Sequence, residues 1–125
     1  MDLASGCGLA STQVFGDLRL FVARLSDESG VPYVEAFFNP IIIWSSEEIV
    51  GAWEGCLSYP NLMAFVYRHA SIGVEYLDSS AVRKSVTFCE NNARIVQHEM
   101  DHLEGITTMQ KVAFQYRHLS TTCQQ

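Results

Sequence analysis

His98 and His102 stand four residues apart in the run Gln97-His98-Glu99-Met100-Asp101-His102. In a helix that spacing sets both imidazoles on one face, a turn apart, so the pair can hold one metal ion. Glu99 lies beside the first of them, where its carboxylate can take a proton from water activated by the metal. This is the His-Glu-x-x-His pattern of metal-assisted hydrolysis. The plain alternative is two histidines on a solvated or packed helix face. A catalytic metal normally keeps three protein ligands and one open position, so another part of the chain must supply the third. Cys56 is the best candidate by chemistry, because a thiolate beside two imidazoles suits zinc or a divalent iron-group metal. It sits between Gly55 and Leu57, with Pro60 soon after, in a segment stiff enough to aim it. A lone cysteine is more commonly a small buried apolar residue, and Cys7, Cys89 and Cys123 are read that way. His69 and His118 have no partner at ligand spacing and read as surface or satisfied core histidines. Asp101 and Glu104 are surface acids, unless Asp101 orients a ligand from behind.

The bulk properties narrow the field. The 125 residues make one domain, 1–125, with the tail after about 110 peripheral, and a hydrophobic content of 48% is enough for a core. Eight basic residues against fourteen acidic ones give a net charge of −6, which offers nucleic-acid phosphates no basic patch. No apolar run approaches the ~20 residues of a membrane span. No basic residue precedes an apolar stretch at the N-terminus, so no signal peptide is expected. Four separated cysteines could form two disulfides in a secreted chain. Without an export signal, reduced thiols in the cytoplasm are the expectation.

The positioning elements are mostly strands. Leu18–Arg24 mixes β-branched and aromatic residues with polar ones, and Ser26–Pro32 is turn-rich. Val34–Phe38 and Ile41–Trp44 read as two strand segments broken at Asn39-Pro40, with a bend or an edge at Pro40. Ile49–Trp53 leads into the Cys56 segment, and Met63–Val66 with Ala70–Leu77 suggests a long strand. Val82–Cys89 alternates, with Val82, Lys84, Val86 and Phe88 on one side, and should pair back across Asp78-Ser79-Ser80 as a hairpin. The motif helix follows. Asn91 or Asn92 can cap it, Ala93, Val96, Met100 and Leu103 form its apolar face, and Gly105 ends it. Beyond Lys111 a short helix and a frayed end fit equally well. The first segment, Gly6-Cys7-Gly8, allows either a close backbone approach to a ligand or a helix end and turn. The predicted class is α+β: antiparallel β-sheets packed around a central helix that carries the His-Glu-x-x-His motif.

Three segments together carry a resemblance. They are Gly6-Cys7-Gly8-Leu9-Ala10-Ser11-Thr12-Gln13, Glu54-Gly55-Cys56-Leu57-Ser58 and Gln97-His98-Glu99-Met100-Asp101-His102. In this order they resemble the three signature motifs of peptide deformylases, over nearly all of the chain to about Gly105. The resemblance implies removal of the formyl group from the N-terminal methionine of nascent polypeptides, releasing formate. It implies one divalent metal on Cys56, His98 and His102, natively Fe(II), with Zn(II), Ni(II) or Co(II) as substitutes. Glu99 would move the proton, while the Gln13 side chain and the Leu57 N–H would hold the oxyanion. Gly6, Cys7, Gly8, Glu54, Gly55, Leu57, Ile95 and His98 would contact substrate, with the backbone around Cys7 and Gly8 pairing with an extended peptide. Asp101 would pair with Arg68 behind the ligands.

The implied partner is the N-formylmethionyl nascent chain, met at the ribosome, with no nucleic acid or membrane bound directly. The implied location is the cytoplasm, with an organellar or phage origin equally compatible. The chain starts only five residues before Gly6, so it resembles a short form without the longer segment that usually precedes the first motif. Met63 also stands where many members carry arginine. Two other functions compete: a catalytically impaired, deformylase-like metal-binding protein, and a metallopeptidase built on the same helix.

Overall fold

In the computed structural model, residues 8–11, 19–56 and 62–105 are described, with the backbone alone for 8–11, Cys56 and Leu62. Among these residues seven strands precede one helix: β1 (Gly8–Ser11), β2 (Leu20–Ser26), β3 (Pro32–Ser45), β4 (Ile49–Cys56), β5 (Leu62–His69), β6 (Ser71–Leu77), β7 (Arg83–Cys89) and α1 (Glu90–Leu103). All pairings are antiparallel. One sheet has five strands in the order β1-β2-β3-β6-β7, and β4-β5 form a second sheet of two. This is the predicted α+β architecture.

Period-two patterning builds the larger sheet. Phe21, Ala23 and Leu25 of β2, Phe37 of β3, Ile72, Val74 and Tyr76 of β6 and Phe88 of β7 all turn inward. They meet Ala93, Ile95, Val96 and Met100 of α1 in one core. Phe37 is its centre, with ring centroids 4.5 Å from Phe21 and 4.2 Å from Tyr76. The β6–β7 hairpin forms in the expected place, with Leu77 opposite Arg83 and Ile72 opposite Phe88. Its turn and the β2–β3 turn share one device. Asp78 Oδ1 accepts from the amides of Ser80 and Val82, and Asp27 Oδ1 accepts from those of Ser29 and Val31.

Four expectations need correction. The segments on either side of Asn39-Pro40 form one strand, β3, which pairs β2 through Phe38 and β6 from Phe38 onward. The bend at Pro40 is present as a register shift between Phe38 and Ile41, with Asn39 at φ 51°. The long strand over Met63–Leu77 is two strands in different sheets, divided at Ala70. Neither asparagine caps α1. Cys89 is the N-cap and makes no side-chain cap bond, while Asn92 accepts from the Ser26 amide at 3.0 Å and donates to the Ser26 carbonyl at 2.7 Å. Cys89 itself is exposed rather than a small core residue. Gly105 does end the helix, at φ 76°, donating to the His102 carbonyl.

All eight residues from Ala93 to Met100 are buried, so α1 is covered on two sides. Its apolar side rests on the five-stranded sheet. Arg94, Gln97, His98 and Asp101, spaced by three and four, form a polar stripe that meets β4 and β5.

Candidate metal centre

The helix brings His98, Glu99 and His102 together. One ligating atom from each lies within 4.8 Å of the others, and the two imidazole centroids are 4.3 Å apart. Glu99 Oε1 is 3.9 Å from His98 Nε2 and 4.0 Å from His102 Nδ1. Its other oxygen, Oε2, is buried without a hydrogen-bond partner among the described residues. A buried carboxylate oxygen left unmatched is costly, and a cation or a polarised water bound at this carboxylate would satisfy it. The donor set and the orphaned oxygen therefore fit a divalent metal.

Electrostatics set these groups apart. Burial pushes the Glu99 carboxyl above the usual carboxylate range, partly offset by His98 alongside. Burial, and then the neighbouring His98, push His102 below the usual imidazole value. A neutral imidazole keeps its lone pair for a metal. A carboxylate of raised pKa holds a proton more readily than an ordinary one.

Behind the histidines lies a buried ion network. Glu54, on β4, is fully enclosed. Its Oε2 accepts from Arg68 Nε at 2.6 Å and Arg94 Nη1 at 2.6 Å, and its Oε1 from Arg68 Nη2 at 2.9 Å. Oε1 also lies 3.2 Å from His98 Nδ1, so His98 holds its proton there and turns Nε2 towards Glu99. Burial alone would raise the Glu54 pKa; the bonds from His98, Arg68 and Arg94 overcome it and bring it down to about 2. Arg68 also donates through Nη1 to Asp101 Oδ2 at 2.9 Å. Gln97 clips the helix to the end of β5, accepting from the His69 amide at 3.1 Å and donating to its carbonyl at 2.8 Å. His69 Nδ1 meets the Ser46 carbonyl at 2.7 Å, a satisfied structural histidine.

The remaining candidates divide. Gly8 opens β1 opposite Ala23, on an edge strand whose second side has no partner strand among the described residues. Gly55 is buried opposite Met63, and Cys56 closes β4 opposite Leu62, two residues after Glu54. Ile95 packs within the main core. Gly6, Cys7, Gln13 and Leu57 lie outside the described residues, as does His118. Glu54 was expected against substrate, yet its carboxylate is occupied by the ion network. Arg94 and Gln97 had no expected role. The signal that could have found Arg94 is its place four residues before His98, a cation on the motif's own face.

The model of the polypeptide deformylase family matches residues 1–118. The chain belongs to that family. Peptide deformylase 2 of a Nostoc species is 40% identical over 114 residues, which cover 87% of this chain and 64% of the relative. The peptide deformylase of Cytophaga hutchinsonii is 41% identical over 112 residues, 85% of this chain and 59% of the relative. The chain thus spans about six tenths of the length of these relatives. Among solved structures, a probable peptide deformylase from a Synechococcus phage superposes with a TM-score of 0.73 at 40% identity, covering 85% of this chain and 72% of that one. A Met-Ala-Ser-bound peptide deformylase from Acinetobacter baumannii gives a TM-score of 0.72 at 31% identity, covering 86% and 70%. The His-Glu-x-x-His segment lies on α1, and Glu54, Gly55 and Cys56 end β4. No helix among the described residues is long and apolar enough to cross a membrane.

Proposed function

We propose that this chain removes the formyl group from N-terminal formylmethionine, releasing formate and a free α-amine. The observation that carries the reading is the buried Glu99 carboxylate on α1, whose Oε1 faces both imidazoles and whose Oε2 has no partner among the described residues, in a chain of the deformylase family. A divalent cation on His98, His102 and Cys56, Fe(II) in the native protein, with Zn(II), Ni(II) or Co(II) able to replace it, would polarise the formyl carbonyl and acidify the attacking water.

The chain's own groups do the rest. Glu99 takes the water proton as oxygen attacks the formyl carbon, then returns it to the amine nitrogen as the C–N bond breaks. The Gln13 amide and the Leu57 N–H donate to the oxyanion, an interaction that strengthens only as charge develops. The side of β1 at Gly8 that has no partner strand among the described residues pairs with the substrate backbone as an added strand. The Acinetobacter relative bound to Met-Ala-Ser carries a peptide that is the deformylated form of such a substrate, which supports this choice. Nascent chains at the ribosome are the physiological substrate on this reading, so the protein works in the compartment that makes them.

The test is formate release from formyl-Met-Ala-Ser by protein loaded with Fe(II), Co(II) or Ni(II). Turnover is expected, with a loss of at least about 100-fold in Glu99→Ala and complete loss on metal removal. Absence of release from fully metallated protein overturns the proposal.

A further inference from the structure

Arg94 reaches three acceptors at once. Nη1 donates to Glu54 Oε2 at 2.6 Å and to the Val66 carbonyl at 3.0 Å, and Nη2 donates to the Val50 carbonyl at 2.6 Å. One side chain thereby ties α1 to both strands of the small sheet. Its target is the carboxylate that holds His98. Glu54 Oε2 is shared between two arginines, and Oε1 between Arg68 and His98 Nδ1.

Without Arg94, Arg68 alone would hold Glu54, gripping both oxygens as a fork. Arg68 is itself drawn towards Asp101, so the carboxylate could swing with it. The bond to His98, at 3.2 Å the longest of the four, would be the first to go. The Arg94 contact fixes Oε2 from the opposite element and takes away that freedom.

We propose that Arg94 is a positioning residue of the metal centre: it pins Glu54 Oε2 so that Oε1 stays on His98 Nδ1 and the ring keeps Nε2 turned towards the ion. Partners of this kind, one bond removed from a ligand, are typically worth about 10- to 100-fold in metal affinity. The inference rests on the metal-centre reading above, but it is read out without substrate. Its failure is therefore distinct from a failure of formate release.

The experiment titrates the 125-residue apoprotein with Co(II) against a competing chelator and records the ligand-field absorption of the complex. Arg94→Met should weaken Co(II) binding by about 10- to 100-fold and change the band shape. Arg94→Lys keeps a cation for Glu54 and loses the two carbonyl bonds. It should lower the melting temperature while holding Co(II) affinity within a few-fold of wild type, and it carries the test should the methionine variant not fold. In a Glu54→Gln background, either substitution at Arg94 should cost nothing further, because the path runs through Glu54. Wild-type affinity and spectrum in folded Arg94→Met overturn the proposal. A more than tenfold loss in Arg94→Lys does so too, as does a full, additive effect in the Glu54→Gln background.

Discussion

Glu54→Gln tests the buried network most directly. The substitution keeps the shape of the side chain and removes its charge, leaving Arg68 and Arg94 enclosed with half their compensation gone. Both guanidinium groups are almost fully buried, and breaking one side of such a pairing costs about 3–5 kcal/mol. Linkage gives an independent figure. The Glu54 carboxyl falls from 4.5 to about 2, and at about 1.36 kcal/mol per unit that is roughly 3 kcal/mol of stability. The two routes agree within their precision. Because the folded pKa is the lower one, this stability is fully present above pH 4.5 and is lost as pH falls towards 2. The gap between wild type and variant should therefore be constant from pH 7 to about pH 5. It should then close by about 2 kcal/mol between pH 4.5 and 3. Urea unfolding of the apoproteins, followed by circular dichroism at half-unit steps of pH, measures the gap. A loss below about 1 kcal/mol at pH 7, or a gap that does not narrow in acid, refutes the argument.

Other expectations concern the frame that carries the site. Phe37→Ala removes the ring stacked between Phe21 and Tyr76 and should cost about 3–5 kcal/mol in urea unfolding at pH 7. Gly73→Ala would place a methyl 2.1 Å from Trp44 Nε1, displacing the indole, and should cost about 1–3 kcal/mol with a shift in Trp44 fluorescence. Asn92→Ala breaks both bonds to Ser26 and should lower stability by about 1–2 kcal/mol, with faster amide exchange at Ser26 as its local signature.

What was legible in the sequence was local. Ala93, Val96, Met100 and Leu103 repeat at helical spacing, and a glycine follows, so α1 and its end could be placed. The β6–β7 hairpin was legible because alternation on both arms meets a polar turn at Asp78-Ser79-Ser80. The break between β5 and β6 was not, because Ala70 carries no turn chemistry. The chain changes sheet there through contacts made elsewhere: the Ala70 amide donates to Glu48 and its carbonyl accepts from Glu90. Two adjacent asparagines before a helix read as a cap, yet Asn92 serves Ser26, 66 positions away. Arg94 and Glu54 are 40 positions apart, and no spacing rule links a helix cation to a strand acid at that distance. Propensity and period speak for neighbours; pairings of this kind are settled only when the sheets close on the helix.

That closure explains why so much charge lies inside a small domain. A helix with only one covered side could turn His98, Glu99 and His102 to solvent, where water would satisfy each of them and screen their fields. Here the two-stranded sheet covers the polar side of α1. Among the described residues, Arg68 and Arg94 answer Glu54 and Asp101. Among the described residues Glu99 pairs with no arginine: it faces the imidazoles, with one oxygen unmatched. Among the described residues the network thus pairs Glu54 and Asp101 with arginines and leaves Glu99 to the histidines. A dication entering between them would meet a field already cleared of competing charge.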